Sequence, residues 1–199
     1  MIEKREKRPT GTVEIRAAAA DEPKKIEGYA AIFNSPTSIG GWFMEQIAPG
    51  AFAGALSGDV RALFNHDENL VLGRTTNGTL QLAEDTRGLR YSIDPPDTQV
   101  ARDLMTSIER GDVSQSSFAF ICIRDEWDYS DDMAVRTVLE CELFDVSPVT
   151  YPAYDDTAVG LRSLEAARAA GIITPRDFAR IRSKRMALAQ RQRGITARA

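Results

Sequence analysis

Ser114-Gln115-Ser116-Ser117-Phe118-Ala119-Phe120-Ile121-Cys122-Ile123-Arg124-Asp125-Glu126-Trp127 is followed, after an acidic turn, by Val135-Arg136-Thr137-Val138-Leu139-Glu140-Cys141-Glu142-Leu143-Phe144-Asp145-Val146-Ser147-Pro148-Val149. Both runs are rich in Phe, Ile, Val and Leu, so each reads as a long strand, over Phe118–Trp127 and Val135–Val149. Tyr129-Ser130-Asp131-Asp132 turns one into the other. With the turn centred on residues 130–132, Ala119 faces Leu143, Ile121 faces Cys141 and Ile123 faces Leu139, all on one apolar face. The same register carried to the far end sets Ser117 opposite Asp145. A hydroxyl and a carboxylate then meet where the apolar face ends. A slip of one residue exchanges the faces and brings Glu140 and Glu142 into play, which makes Glu142 the reserve acid.

Outward from this hairpin the chain reads as more short strands. Ile26–Phe33 alternates weakly and stops at Asn34-Ser35-Pro36, and Trp42–Ile47 is a second strand. Ala48-Pro49-Gly50 opens a short helix over Ala51–Leu56. Val60–His66, Leu70–Gly73, Leu80–Ala83 and Leu89–Ile93 follow as strands, with Asn77-Gly78 as a hairpin signal. Val100, Leu104 and Ile108, four apart, predict an amphipathic helix over Thr98–Arg110, ended by Gly111. Helices are also expected over Ser163–Ala170 and Thr174–Gln192. The second has Thr174 as N-cap, Pro175 at its first position and Asp177 three after the cap. The fold class is mainly β with surrounding helices (α+β): a closed or nearly closed β-barrel. Residues 1–25 read as a flexible N-terminal arm, 26–159 as the barrel domain and 160–199 as a basic helical C-terminal segment.

Composition narrows the chemistry. The 199 residues carry 25 Lys+Arg, 29 Asp+Glu and a single histidine, His66. No apolar run approaches the roughly 20 residues of a membrane span, and the basic N-terminus has no apolar stretch behind it, as a secretory signal would. Cys122 and Cys141 lie in strand-like runs and read as small buried hydrophobes. Two cysteines without a C-x-x-C, and one histidine, make no zinc site. Charge is uneven. From Gly160 onward ten Arg/Lys stand against two acids, Glu165 and Asp177, while residues 1–159 hold 15 bases against 27 acids.

His66, in Leu63-Phe64-Asn65-His66-Asp67, is the only imidazole available for proton transfer near neutral pH. The serine run ending at Ser117 enters a strand, where a hydroxyl can be held at a sheet rim. Its plainer reading is a loop cap.

In order, the chain also contains Ile26-Glu27-Gly28-Tyr29-Ala30 with Phe33-Asn34, Ile47-Ala48-Pro49-Gly50-Ala51-Phe52, Leu63-Phe64-Asn65-His66-Asp67 with Leu72-Gly73-Arg74, Ser117-Phe118-Ala119-Phe120, and Glu142 to Tyr154. In these five motifs, over about residues 26–157, it resembles the prohead maturation proteases of tailed bacteriophages. That family is thought to share a barrel and catalytic layout with herpesvirus assembly proteases. The resemblance implies a serine endopeptidase that cleaves capsid or scaffold protein, and also itself, inside the assembling prohead in the bacterial cytoplasm. It carries His66 over as general base, Ser117 as nucleophile and Asp145, the acid before Val-Ser, as orienting acid. Ala119 departs from the glycine common in the family's Ser-Phe-Gly-Phe run. Oxyanion donors are expected among backbone N–H groups that the sequence does not place. No metal or organic cofactor is implied.

The partners implied are the major capsid protein and the scaffold protein as substrates, with self-association and no membrane. The basic tail could contact phosphate, but it has only Phe178 among its aromatics and the body is acidic, which argues against nucleic acid. The tail also reads as a solvated helical face, or as a delivery segment trimmed after assembly. The rival from another class is a non-catalytic capsid-assembly or scaffolding protein on the same barrel.

Overall fold

The structure is a computed structural model that describes residues 5–16, 24–130, 133–151, 165, 168–169, 171 and 173–196. Along the chain run β1 (Glu6–Arg16), β2 (Lys25–Ile32), β3 (Thr37–Ile39), β4 (Phe43–Ile47), β5 (Arg61–Phe64), β6 (Asp67–Arg74), β7 (Leu80–Glu84), β8 (Gly88–Ile93), α1 (Gln99–Glu109), β9 (Gln115–Asp128), β10 (Val135–Val149) and α2 (Pro175–Thr196). The strands hydrogen-bond in the order β3-β4-β10-β9-β1-β2-β8-β7, with β5 branching from β10 and β6 from β5. The protein is therefore mainly β with few helices, an α+β chain. Among the described residues this order is an open path and does not close on itself.

Two compact units divide the chain. The first comprises residues 1–34, 47–124 and 138–153. Its core gathers Ile26, Leu72, Leu89, Ile93, Leu104, Val138 and Val146 around an aromatic group. Phe52 meets Phe118 edge-on at 5.4 Å, and Phe118 meets Phe120 at 5.0 Å. Each such buried ring stabilises by roughly 1.5–3 kcal/mol. Gly88 lets β8 pass close to β2, because a Cβ there would meet the Ala31 carbonyl oxygen at 2.0 Å. The second unit comprises residues 35–46, 125–137 and 154–199. Its own small core holds Ile39, Trp42, Phe43, Ala134, Ile173 and Ile181.

Several sequence expectations are corrected. The segment read as a flexible arm contains β1, paired antiparallel with both β2 and β9. Its polar composition hides a strand whose backbone groups are used on both edges. Ala51–Leu56 forms successive turns instead of a helix, with Ala53 N bonded to the Gly50 carbonyl and Ala55 N to that of Phe52. Asn77-Gly78 closes a 3-10 turn over Thr75–Asn77 and makes no hairpin; Gly78 takes the left-handed conformation there. The true hairpin beside it joins β7 to β8, pairing Glu84 with Leu89. In α1, Thr98 caps as expected, accepting from Ala101 N, but the buried stripe is Ala101, Leu104 and Ile108, with Val100 turned outward.

The expected apolar face of β9 and β10 holds in part, with Ala119, Cys141 and Leu143 buried. Phe118 and Phe120 join the core, whereas Ile123 is 60% exposed. Two phenylalanines remove more apolar area from water than Ala119 and Ile121 could, so the rings take the inner face. The helix expected over Ser163–Ala170 lies largely outside the described residues. The last helix starts where expected: Thr174 Oγ1 accepts from Asp177 N at 3.2 Å, and Thr174 N donates back to Asp177 Oδ2 at 3.3 Å.

Candidate active site

Three segments of the first unit converge on one imidazole. β5 and β6 are joined by a two-residue turn, Asn65-His66, since Phe64 pairs directly with Asp67. Both turn residues have φ of +56°, the left-handed conformation that a tight hairpin turn requires. Asparagine tolerates it and glycine normally follows; here histidine does. His66 is thus held at a hairpin tip in a backbone conformation usually left to glycine, the kind of strain that collects at functional sites. The strand expected over Val60–His66 accordingly ends at Phe64.

Asn65 fastens the tip to the end of β10. Its N–H donates to the Pro148 carbonyl at 3.0 Å, and its Oδ1 accepts from Thr150 N at 2.9 Å and from Thr150 Oγ1 at 3.3 Å. β5 itself runs parallel to β10, with Arg61 against Asp145 and Ala62 against Val146. Two residues apart on β10, Asp145 and Ser147 share one face of the strand. On β9 the same logic separates Phe118 and Phe120 from Ser117. Ser116, on the Phe side, is fully buried and shares a 2.5 Å hydrogen bond with the Tyr91 hydroxyl. Burial pushes the Tyr91 phenol well above its usual range, so it remains a neutral anchor under that part of the strand.

His66 Nδ1 lies 2.6 Å from Asp145 Oδ1, and His66 Nε2 lies 2.7 Å from Ser117 Oγ. An ionised carboxylate only accepts, so Nδ1 carries the proton and Nε2 is left to accept from the serine hydroxyl. Ser147 Oγ donates to the same Asp145 Oδ1 at 2.8 Å, giving the acid a second donor. The imidazole and carboxylate side chains are 8% and 7% exposed, and Ser117 is 2% exposed. Charge–dipole interactions in such a dry setting are stronger than in water.

The sequence set Ser117 opposite Asp145; in the structure each is hydrogen-bonded to a different nitrogen of His66. Glu142 and Glu140 are exposed, and the nearest ion pair of Glu140 is with Arg124 at 3.7 Å. Asn65 and Ser147 were missed. The left-handed turn at Asn65-His66 has no local signature beyond the asparagine, while Ser147 was legible as the same-face neighbour two residues after the acid. Cys141 is buried, and burial drives its thiol far above its usual range, which disfavours the thiolate. Beside Asp145 a cleft of about 410 Å³ is lined by Arg61, Leu63, Glu68, Val71 and Phe144. Among the described residues no cluster of three His, Cys, Asp or Glu could hold a metal, and no helix is long and apolar enough to cross a membrane.

Comparison with known proteins adds the family. The family model of the caudovirus prohead serine protease matches residues 11–170. No curated protein matches the chain. Among solved structures it is similar to the bacteriophage T4 capsid assembly protease gp21, at 12% identity and a TM-score of 0.49, over 75% of this chain and 98% of that one.

Proposed function

From the premise that the chain belongs to the caudovirus prohead serine protease family, we propose that it is a serine endopeptidase working through Ser117, His66 and Asp145. The observation that carries the reading is the bridging imidazole, within hydrogen-bond distance of both a serine hydroxyl and a buried carboxylate. Nucleophile, base and orienting acid in this relation form the working set of acyl transfer to water.

In the proposed reaction Ser117 Oγ attacks the scissile carbonyl carbon while its proton passes to His66 Nε2. Asp145 holds the Nδ1–H tautomer and balances the imidazolium charge. Collapse of the tetrahedral intermediate breaks the C–N bond, and His66 returns the proton to the leaving amine. Water then repeats the sequence on the acyl-enzyme and restores the serine. An unassisted hydroxyl is a poor nucleophile at pH 7, which is why the base must touch it.

The substrates on this reading are the major capsid protein and the scaffold protein of an immature head in the host cell, with the chain itself as a further substrate. Closure of the open strand path into a barrel and self-association belong to the same proposal. A non-catalytic capsid-assembly role would leave the hydrogen-bonded set without a purpose. The test is incubation with the cognate major capsid protein, followed by mass spectrometry of the products. The wild type is expected to cleave it, and Ser117→Ala and His66→Ala are each expected to slow cleavage by on the order of 10⁴- to 10⁶-fold. Cleavage surviving in either variant would overturn the assignment.

A further inference from the structure

β1 is poorly built for the place it occupies. It pairs with β9 from Glu6↔Phe120 to Thr12↔Gln115 and with β2 from Thr12↔Tyr29 to Arg16↔Lys25, so its first half lies against β9, its second against β2, and Thr12 alone is paired with both. Yet its 11 residues include Glu6, Lys7, Arg8, Glu14, Arg16, Pro9 and Gly11. Proline has no N–H to give to a ladder, and proline and glycine both weaken interior strands. Arg8 is moreover 3% exposed. Removing a guanidinium from water costs free energy that its partners only partly return.

The pairing with β9 breaks at one place. It runs Glu6↔Phe120, Lys7↔Ala119, Arg8↔Phe118, and resumes at Gly11↔Ser116. Pro9 and Thr10 therefore stand against the single residue Ser117, two against one, which is a β-bulge. The irregularity falls on the nucleophile itself. Ser117 is only 2% exposed, and the bulge places β1 directly beside it. Taking β1 out leaves a slot bordered by the main-chain edge of β9 from Gln115 to Phe120, with Ser117 midway along it, and further on by the edge of β2 from Lys25 to Tyr29. Such an edge pair binds an extended chain through backbone hydrogen bonds.

We propose that this slot is the substrate-docking site, occupied in the free protein by residues 6–16 of the chain itself. The ligand is an extended polypeptide segment that replaces β1, runs antiparallel to β9 and sets its scissile bond opposite Ser117 where the bulge now lies. Recognition is chiefly by main chain. The inference rests on the endopeptidase reading above, and competition from β1 lowers the apparent affinity for substrate by the fraction of molecules in which the slot is open.

Locking β1 in place tests it. Lys7→Cys/Ala119→Cys joins register partners on β1 and β9, and Thr12→Cys/Tyr29→Cys joins register partners on β1 and β2. Each reduced variant is its own folded control. Oxidation of either pair is expected to cut kcat/KM on the cognate major capsid protein by about tenfold or more, reversed by reductant. Two locks on different neighbours guard against a local distortion near Ser117. Oxidised, cross-linked variants that cleave at the reduced rate would overturn the slot and leave the triad reading standing. Absence of cleavage by the wild type would instead strike the endopeptidase reading.

Discussion

β9 and β10 each carry a buried polar cluster in each unit of the chain, and the two clusters differ in how completely they are satisfied. In the first unit Ser117, His66, Asp145 and Ser147 form an unbroken chain of hydrogen bonds. In the second, Arg136 Nη1 donates to Glu45 Oε2 at 2.9 Å and Arg136 Nε to Asp125 Oδ2 at 2.5 Å, all with side chains at most 5% exposed. Nearby, Asp125 Oδ1, Trp127 Nε1 and Tyr129 OH are buried without a partner. Trp127 stacks on Tyr129 at 6.2 Å, and burial helped by the Asp177 and Asp125 charges pushes the Tyr129 phenol up to about 12. One cluster is an ordered line of donors and acceptors. The other holds charges together against their desolvation and leaves polar atoms over. Buried charge alone therefore does not distinguish the two clusters; a complete donor–acceptor sequence ending on a serine hydroxyl does.

Three substitutions sharpen that contrast, beginning with the largest effect. Asp145→Asn keeps the shape but offers Nδ1 a donor as readily as an acceptor. Steady-state cleavage of the capsid protein is expected to fall by on the order of 10³- to 10⁴-fold, with little change in the thermal midpoint. A loss below tenfold would remove Asp145 from the set. Arg136→Met should behave in the opposite way, removing the guanidinium that faces the buried carboxylates of Glu45 and Asp125. Urea unfolding should show a destabilisation of about 3–5 kcal/mol, with kcat unchanged at temperatures where the chain is folded. If activity fell and stability did not, the division between the clusters would be wrong. Tyr129→Phe is the smallest: deleting an unpartnered buried hydroxyl should be neutral or stabilising by about 1 kcal/mol in the same unfolding assay. A clear loss would mean that the hydroxyl has a partner.

The candidate site was readable to an unusual degree, for identifiable reasons. His66 stood out because it is the only histidine. Ser117 and Asp145 stood out because strand alternation and an acidic turn fix which residues approach each other within a hairpin. What alternation could not provide was the face. Phe118 and Phe120 turned inward, Ile123 turned outward, and the acid reached the serine only through the imidazole. Strand β1 was illegible for a related reason: charges, a proline and a glycine read as loop when pairing on both edges is out of view.

By itself, then, the sequence determined most of the strands and the long helices, the α1 and α2 caps and the three residue types of the candidate site. These depend on local backbone preference and on chemistry carried by single side chains. The tertiary structure alone decided three things. Asn65-His66 turns in a left-handed conformation latched to Pro148 and Thr150. Asp145 and not Glu142 meets Nδ1. The chain's own first strand lies beside Ser117, with its bulge against that residue. Each depends on which segments distant in sequence share a backbone edge, and hydrogen bonding between such edges leaves almost no trace in the side chains that flank it.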